Sequence, residues 1–215
     1  MNTSHKTLLS AALLVCAVGA TSGAWAQTKP AESFIGPAFG VSIYAQQTSV
    51  DYTSTFAPIG NRSSSGNGSE VSVIGSWGFA LAPEWVGTVG LSLGTQTLDG
   101  GSFNYTSGGT QTITTKLKDH WSISFAPGYR VGADSLVYAK LAYHQITGVY
   151  TDTLTKGGTT THTGTGWGLG YAFAVSRQLE LRAEYEAVSY SSGKVLLTEG
   201  KPEQKGVSFS ALYRF

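Results

Sequence analysis

The side chains with the most chemical potential in this sequence lie in three places. His120, Trp121 and Ser122 set an imidazole and a hydroxyl two residues apart, with Asp119 beside them. On an extended strand such residues share a face, so a histidine base could activate a serine nucleophile if a carboxylate oriented the ring. Glu180, Arg182, Glu184 and Glu186 alternate along a second segment and would line one strand face, with Lys140, His144 and Arg214 as available counter-charges or hydrogen-bond partners. Lys116, Lys118, Lys194, Lys201 and Lys205 lie in polar surroundings, where an ammonium group can meet phosphate. Metal chemistry has little to work with. One cysteine, Cys16, and four scattered histidines give no ligand spacing and no intramolecular disulfide, and no cofactor is expected.

Composition narrows the partners. Charged residues make up 13% of the 215-residue chain, against about 25% in ordinary soluble domains, while glycine reaches 28 residues. The formal net charge is +1 with no basic block, which excludes the electrostatic footprint of a nucleic-acid binder.

The elements that must position these groups begin after an address. Lys6, the small and apolar run from Thr7 to Ala20, and Ala24-Trp25-Ala26 have the form of a secretory signal peptide over 1–26, removed ahead of Gln27. A lipoprotein signal at Cys16 is the rival, disfavoured by the bulky Val15 before it. In the barrel domain expected over 27–215, apolar residues recur every second position. Phe39, Val41 and Ile43 oppose Ala38, Gly40, Ser42 and Tyr44; Val71, Val73, Trp77 and Phe79 oppose Glu70, Ser72 and Ser76. The pattern continues through Trp85 to Leu93, Trp121 to Pro127, Val137 to Tyr143, Trp167 to Val175, Leu179 to Ala187 and Val207 to Phe215, predicting eight strands. Short connections at Ala82 to Glu84, Val131 to Ser135 and Ser176 to Gln178 alternate with long polar loops expected at Thr48 to Ser69, Leu98 to Gln111, Thr151 to Thr165 and Ser191 to Gln204.

An even strand number with both termini at the short-turn end predicts an all-β, eight-stranded, antiparallel up-and-down transmembrane barrel. The seventh strand decides its sidedness. Three carboxylates facing hydrocarbon would cost roughly 2 to 4 kcal/mol each, so the charged face must turn to the lumen and the apolar face to lipid. Tyr44, Tyr138 and Gln96 are expected to add bulk inside. Outside, Trp85, Tyr213 and Phe215 are expected in the inner aromatic girdle and Trp121, Trp167 and Tyr150 in the outer one. Tyr52, Phe56, Phe103 and Tyr105 are placed in the loops among Ser, Gly and Asn, a composition suited to protein contacts.

The terminal run Lys205-Gly206-Val207-Ser208-Phe209-Ser210-Ala211-Leu212-Tyr213-Arg214-Phe215 resembles the last strand of outer-membrane proteins. Ser124-Phe125-Ala126-Pro127-Gly128-Tyr129-Arg130, Gly166-Trp167-Gly168-Leu169-Gly170-Tyr171 and Leu181-Arg182-Ala183-Glu184-Tyr185 resemble the OmpX/Ail and opacity-protein barrels and the OmpA membrane domain. The likeness is strongest from His120 to Phe215. It implies an integral protein of the Gram-negative outer membrane, in contact with lipid and lipopolysaccharide. It also implies an assembly signal in Phe209, Tyr213 and Phe215 for the barrel-assembly machinery, and surface loops that serve adhesion, host or surface-protein contact, or envelope integrity. Two alternatives stay open. The lumen charges could line a small low-conductance pore instead of a closed ion-pair network, although eight strands leave an interior just wide enough for side chains. The His120-x-Ser122 spacing resembles lipid A deacylases of the PagL type, but both residues should face the lumen and not the lipid.

Overall fold

A computed structural model describes residues 32–155, 157–195 and 198–215. The segment read as a signal peptide, 1–26, lies outside the described residues. After a 3-10 turn at Glu32–Phe34 come β1 (Gly36–Ser54), β2 (Arg62–Ala82), β3 (Trp85–Gly94), β4 (Leu98–Thr106) and β5 (Thr110–Arg130). These are followed by β6 (Ser135–Asp152), β7 (Gly158–Ala174), β8 (Leu179–Tyr190), β9 (Gly193–Val195) and β10 (Thr198–Arg214). Antiparallel pairing runs β1-β2-β3-β5-β6-β7-β8-β10, and β10 pairs back onto β1 from Ala38↔Arg214 to Ser54↔Thr198. The ring is therefore closed with eight wall positions. β4 carries the wall of β3 upward on β5, and β9 does the same for β8 on β10. Closure leaves the ring without an open edge, which is what a hydrocarbon solvent requires.

Side-chain direction follows the expected alternation through the lower half of the ring. Leu141 is 66% exposed and Leu169 59%, while Glu180 and Leu212 on inward positions are at 1% and 0%. Phe39, Val41, Ile43, Trp77, Leu91, Phe125, Trp167 and Phe209 belong to the same outward apolar band. Such a band on a lone chain has one solvent that suits it, the acyl region of a bilayer. Aromatic pairs mark its lower edge: the Trp85 and Tyr129 ring centroids are 5.4 Å apart, and those of Tyr213 and Phe215 5.1 Å.

The upper half departs from the sequence reading. The four long loops expected from 48–69, 98–111, 151–165 and 191–204 are mostly strand. β1 has 19 residues and β2 and β5 have 21 each. A strand of that length runs roughly 65 Å and, tilted by about 40°, rises roughly 50 Å, twice the ~25 Å apolar band of a membrane barrel. The wall therefore stands well clear of the bilayer. Above the band its polarity inverts: Val50, Tyr52, Ile113 and Tyr150 point inward and are buried, while Asp51, Thr53, Thr161 and Thr165 are exposed outward. Each face is matched to its own solvent, lipid below and water above.

Two devices produce the inversion. In β1 the geometry is regular and the apolar residues change parity, from Phe39, Val41 and Ile43 outward to Val50 and Tyr52 inward. In β5 the apolar residues stay at odd positions and the backbone changes instead. A bulge between Lys118 and Trp121, with Asp119 at φ 55°, turns Ile113 and Leu117 inward but Ile123 and Phe125 outward. Several aromatic assignments fall with the loops. Tyr150, expected in the outer girdle, faces the interior at 7% exposure. Tyr52 and Tyr105 are buried with it, and Phe56 and Phe103 pack against the same cluster, so these four are crown interior and not free contact residues. Gln96, expected in the lumen, is exposed in the break between β3 and β4. Trp121 and Trp167 do lie on the outer wall, tilted against Tyr143 and Tyr185 with centroids 5.9 Å apart in each pair.

Candidate functional site

The inward face of the membrane-spanning half gathers the charged groups into two connected clusters. Glu180 of β8 receives Arg182 Nε at 2.5 Å and, through its other oxygen, Arg214 of β10. Arg214 also donates to the Gly36 carbonyl at 2.8 Å, tying the last strand to the start of the first. Higher up, Lys140 of β6 bridges Glu184 and Glu186 of β8, with 2.9 Å to Glu186. Tyr138 donates to Glu184 at 3.0 Å and Tyr44 to the Glu186 carbonyl at 3.1 Å. From Glu186 the contacts run on through His144 Nε2 at 3.1 Å, His144 Nδ1 to His120 Nε2 at 3.0 Å, and His120 Nδ1 to Glu70 at 2.9 Å. All seven lumen residues proposed from sequence, Lys140, His144, Glu180, Arg182, Glu184, Glu186 and Arg214, thus meet inside the ring. Glu70 and His120 extend the cluster and were not assigned to it. Their sequence signal was present: Glu70 is the single carboxylate on the polar face of β2, and a buried carboxylate needs a partner.

The glycine row of β7 makes room for this cluster. A Cβ on Gly166 would stand 2.8 Å from His144 Nε2, and one on Gly170 would run into the Tyr138 ring. The space left over is small. A cavity of about 90 Å³ lies among Ser72, Ser92, Ser122, Lys140, Glu184 and their neighbours, a volume for about three waters. Below it Phe34, Val86, Ala126, Leu136 and Ala172 form an apolar floor, and above it Leu98, Leu117, Ile146, Val188 and Tyr190 form an apolar ceiling. The polar lumen thus lies between two buried apolar clusters.

His120 and Ser122 both face inward, as the strand register requires, at 9% and 6% exposure. Both nitrogens of His120 are engaged, by Glu70 and by His144, so no ring nitrogen is left to take a proton from Ser122. The five lysines all project outward. Lys116 and Lys118 reach the outer face because of the bulge at Asp119, and Lys118 sits 3.6 Å from the Asp119 carboxylate. Lys201 pairs loosely with Glu203 at 3.5 Å, and Lys194 and Lys205 are exposed on β9 and β10. Phe209, Tyr213 and Phe215 lie on the lipid side of β10 and at its end, Phe215 being 80% exposed.

In the crown, His162 is fully buried. Its Nδ1–H donates to the Ser191 carbonyl at 2.9 Å and its Nε2 accepts from the Tyr150 hydroxyl at 2.8 Å, which defines a neutral tautomer. Burial holds this imidazole below its ordinary range because the cation would lose its water. The folded value lies below the unfolded one, so the contribution is whole at neutral pH and is lost as pH falls below about 6.5, where the unfolded chain takes up the proton. Amide exchange in the crown, corrected for intrinsic rates, should accelerate at about pH 5, and His162→Gln should flatten that dependence. The same pH response in both proteins would contradict the assignment.

A family model described as the outer membrane protein beta-barrel domain matches residues 10–215. No curated protein sequence matches the chain. Among solved structures, it is similar to Ail, the attachment invasion locus protein of Yersinia pestis, in a complex with the heparin analogue sucrose octasulfate. That match has 13% identity over 82% of this chain and 99% of that chain, with a TM-score of 0.42. It is also similar to Neisserial surface protein A, at 15% identity over 81% and 97% of the two chains and a TM-score of 0.42. A third similar structure is the outer membrane protease OmpT of Escherichia coli, at 7% identity over 83% and 96% and a TM-score of 0.46.

Proposed function

This chain belongs to the outer membrane protein beta-barrel domain family, and from that premise we propose that it is a closed, non-catalytic integral barrel that displays a β-walled crown at the surface of a Gram-negative cell. The crown serves adhesion, host contact or envelope integrity. The observation that carries this reading is the filled lumen, where ion pairs and hydrogen-bonded histidines lie between an apolar floor and an apolar ceiling and leave a cavity of only about 90 Å³. Such an interior conducts nothing large, and its one His-Ser pair lacks a free base.

The remaining features fit the same role. Residues 1–26 act as a removable secretion signal, leaving 27–215 as the barrel domain. Phe209, Tyr213 and Phe215 act as the signal read by the assembly machinery. Short turns toward the periplasm put the crown outside. Lys116, Lys118, Lys194, Lys201 and Lys205, exposed on the outer face of the crown, meet lipopolysaccharide phosphates. The test is reconstitution into planar bilayers with lipopolysaccharide in one leaflet. The expected record has at most small, rare conductance steps, and alanine at all five lysines lowers lipopolysaccharide association. Large, stable conductance would replace this reading with the pore alternative, and loss of an acyl chain from lipid A would replace it with the enzyme.

A further inference from the structure

Above the apolar ceiling the crown is hollow. A cavity of about 320 Å³ is bounded by Tyr52, Phe56, Ile59, Ile113, Tyr150 and Val195. We propose that this cup binds a small uncharged apolar molecule taken from the aqueous side, an activity that goes beyond surface display and does not depend on it.

Three observations lead there. First, the walls are aromatic and aliphatic, and the tyrosine hydroxyls on them are already engaged by the protein. Tyr52 Oη meets Thr115 Oγ1 at 2.5 Å and Ser64 Oγ at 3.1 Å, Tyr150 meets His162, and Tyr105 donates to Asp152 at 2.9 Å. The carboxylate on the lining, Asp152, is likewise taken up by Tyr105, the Leu154 N–H and Thr155, so the cup offers chiefly ring faces and methyl groups. Second, the wall stays open through small residues where bulk would fill it: Thr151, Thr198 and Gly200 line the same space. Protein interiors are otherwise close-packed, and an apolar void of this size is a binding volume. At interior packing density it holds a molecule of roughly 240 Å³, two or three aromatic rings or a chain of about a dozen carbons. Third, the cup is a dead end. Leu117 and Ile146, both 0% exposed, close it from the polar lumen. Its walls stand above the outward apolar band, so the route in is from water and not from the bilayer.

The experiment uses the full barrel in phosphatidylcholine nanodiscs, with N-phenyl-1-naphthylamine as the fluorescent probe and empty nanodiscs as the partition blank. Saturable binding beyond the blank is expected, weakened at least tenfold by Thr198→Trp and by Val195→Trp, paired neighbours on β10 and β9 that each fill the cup from that side. Heat-modifiable gel migration confirms that each variant is folded. Methyl resonances of Ile59, Ile113 and Val195 should shift on probe addition while those of Leu141 and Leu169 in the apolar band stay fixed. Fluorescence no greater than the blank overturns the proposal, as does equal binding by the folded variants. Lipid-chain contacts at the three crown methyls would overturn it in favour of an acyl occupant, and unshifted methyls in favour of Leu154, at the cup's rim, folding in.

Discussion

Alanine at Glu180 is expected to remove about 3 to 5 kcal/mol of stability, the range found when one partner of a buried ion pair is deleted. The carboxylate is 1% exposed and answers two guanidiniums, Arg182 and Arg214, one oxygen to each. Without it both cations remain in a closed interior, beside an apolar floor that offers them nothing. Arg214 joins the terminal strand to Gly36, so the loss falls on the seam where β10 closes against β1. Urea titration in lipid vesicles, followed by tryptophan fluorescence and gel migration, reads the change. Glu180→Gln keeps the shape and one acceptor and should lose less. A wild-type midpoint for Glu180→Ala would mean that the pair contributes nothing to holding the ring shut.

The second large effect contrasts two positions on one face of one strand. Leu169→Arg places a cation in the apolar band, where the cost is about 2 to 4 kcal/mol near the bilayer midplane. Thr161→Arg points the same way from β7 but stands in the crown, and its cost should be within about 0.5 kcal/mol of zero, as for an ordinary surface change. Both residues are exposed in the isolated chain. Only the solvent differs. Unfolding midpoints in the same vesicles separate them, and equal costs would remove the polarity inversion from the account.

That inversion also explains what could be read from the amino acids and what could not. The membrane half was legible because Phe39, Val41 and Ile43 against Ala38, Ser42 and Tyr44 state both the strand and its sidedness. The lumen pairs were legible because charges alternating from Glu180 to Glu186 can face only one way in lipid. The crown was misread because a strand with water on its outer face is rich in Ser, Thr, Gly and Asn, the composition of a loop. Val50 and Tyr52 held the clue. They continue the alternation of β1 with the opposite parity, and a parity change without a turn signals a change of solvent. In β5 the clue was hidden, since Ile113, Leu117, Trp121 and Ile123 share parity and only the bulge at Asp119 separates inside from outside. Glu70 and His120 stood on polar strand faces in the sequence, but their joining to Glu186 through His144 follows from the fold, which brings β2, β5 and β6 to one level.

The central claim is that hydrocarbon touches the outer wall of the lower ring. Brominated acyl chains test it most directly, on a variant in which the other tryptophans are replaced by Phe and only Trp167, 51% exposed on that wall, remains. Strong quenching by lipid bromine, together with protection from aqueous iodide, is the predicted result. Ready quenching by iodide with no response to brominated lipid would contradict it.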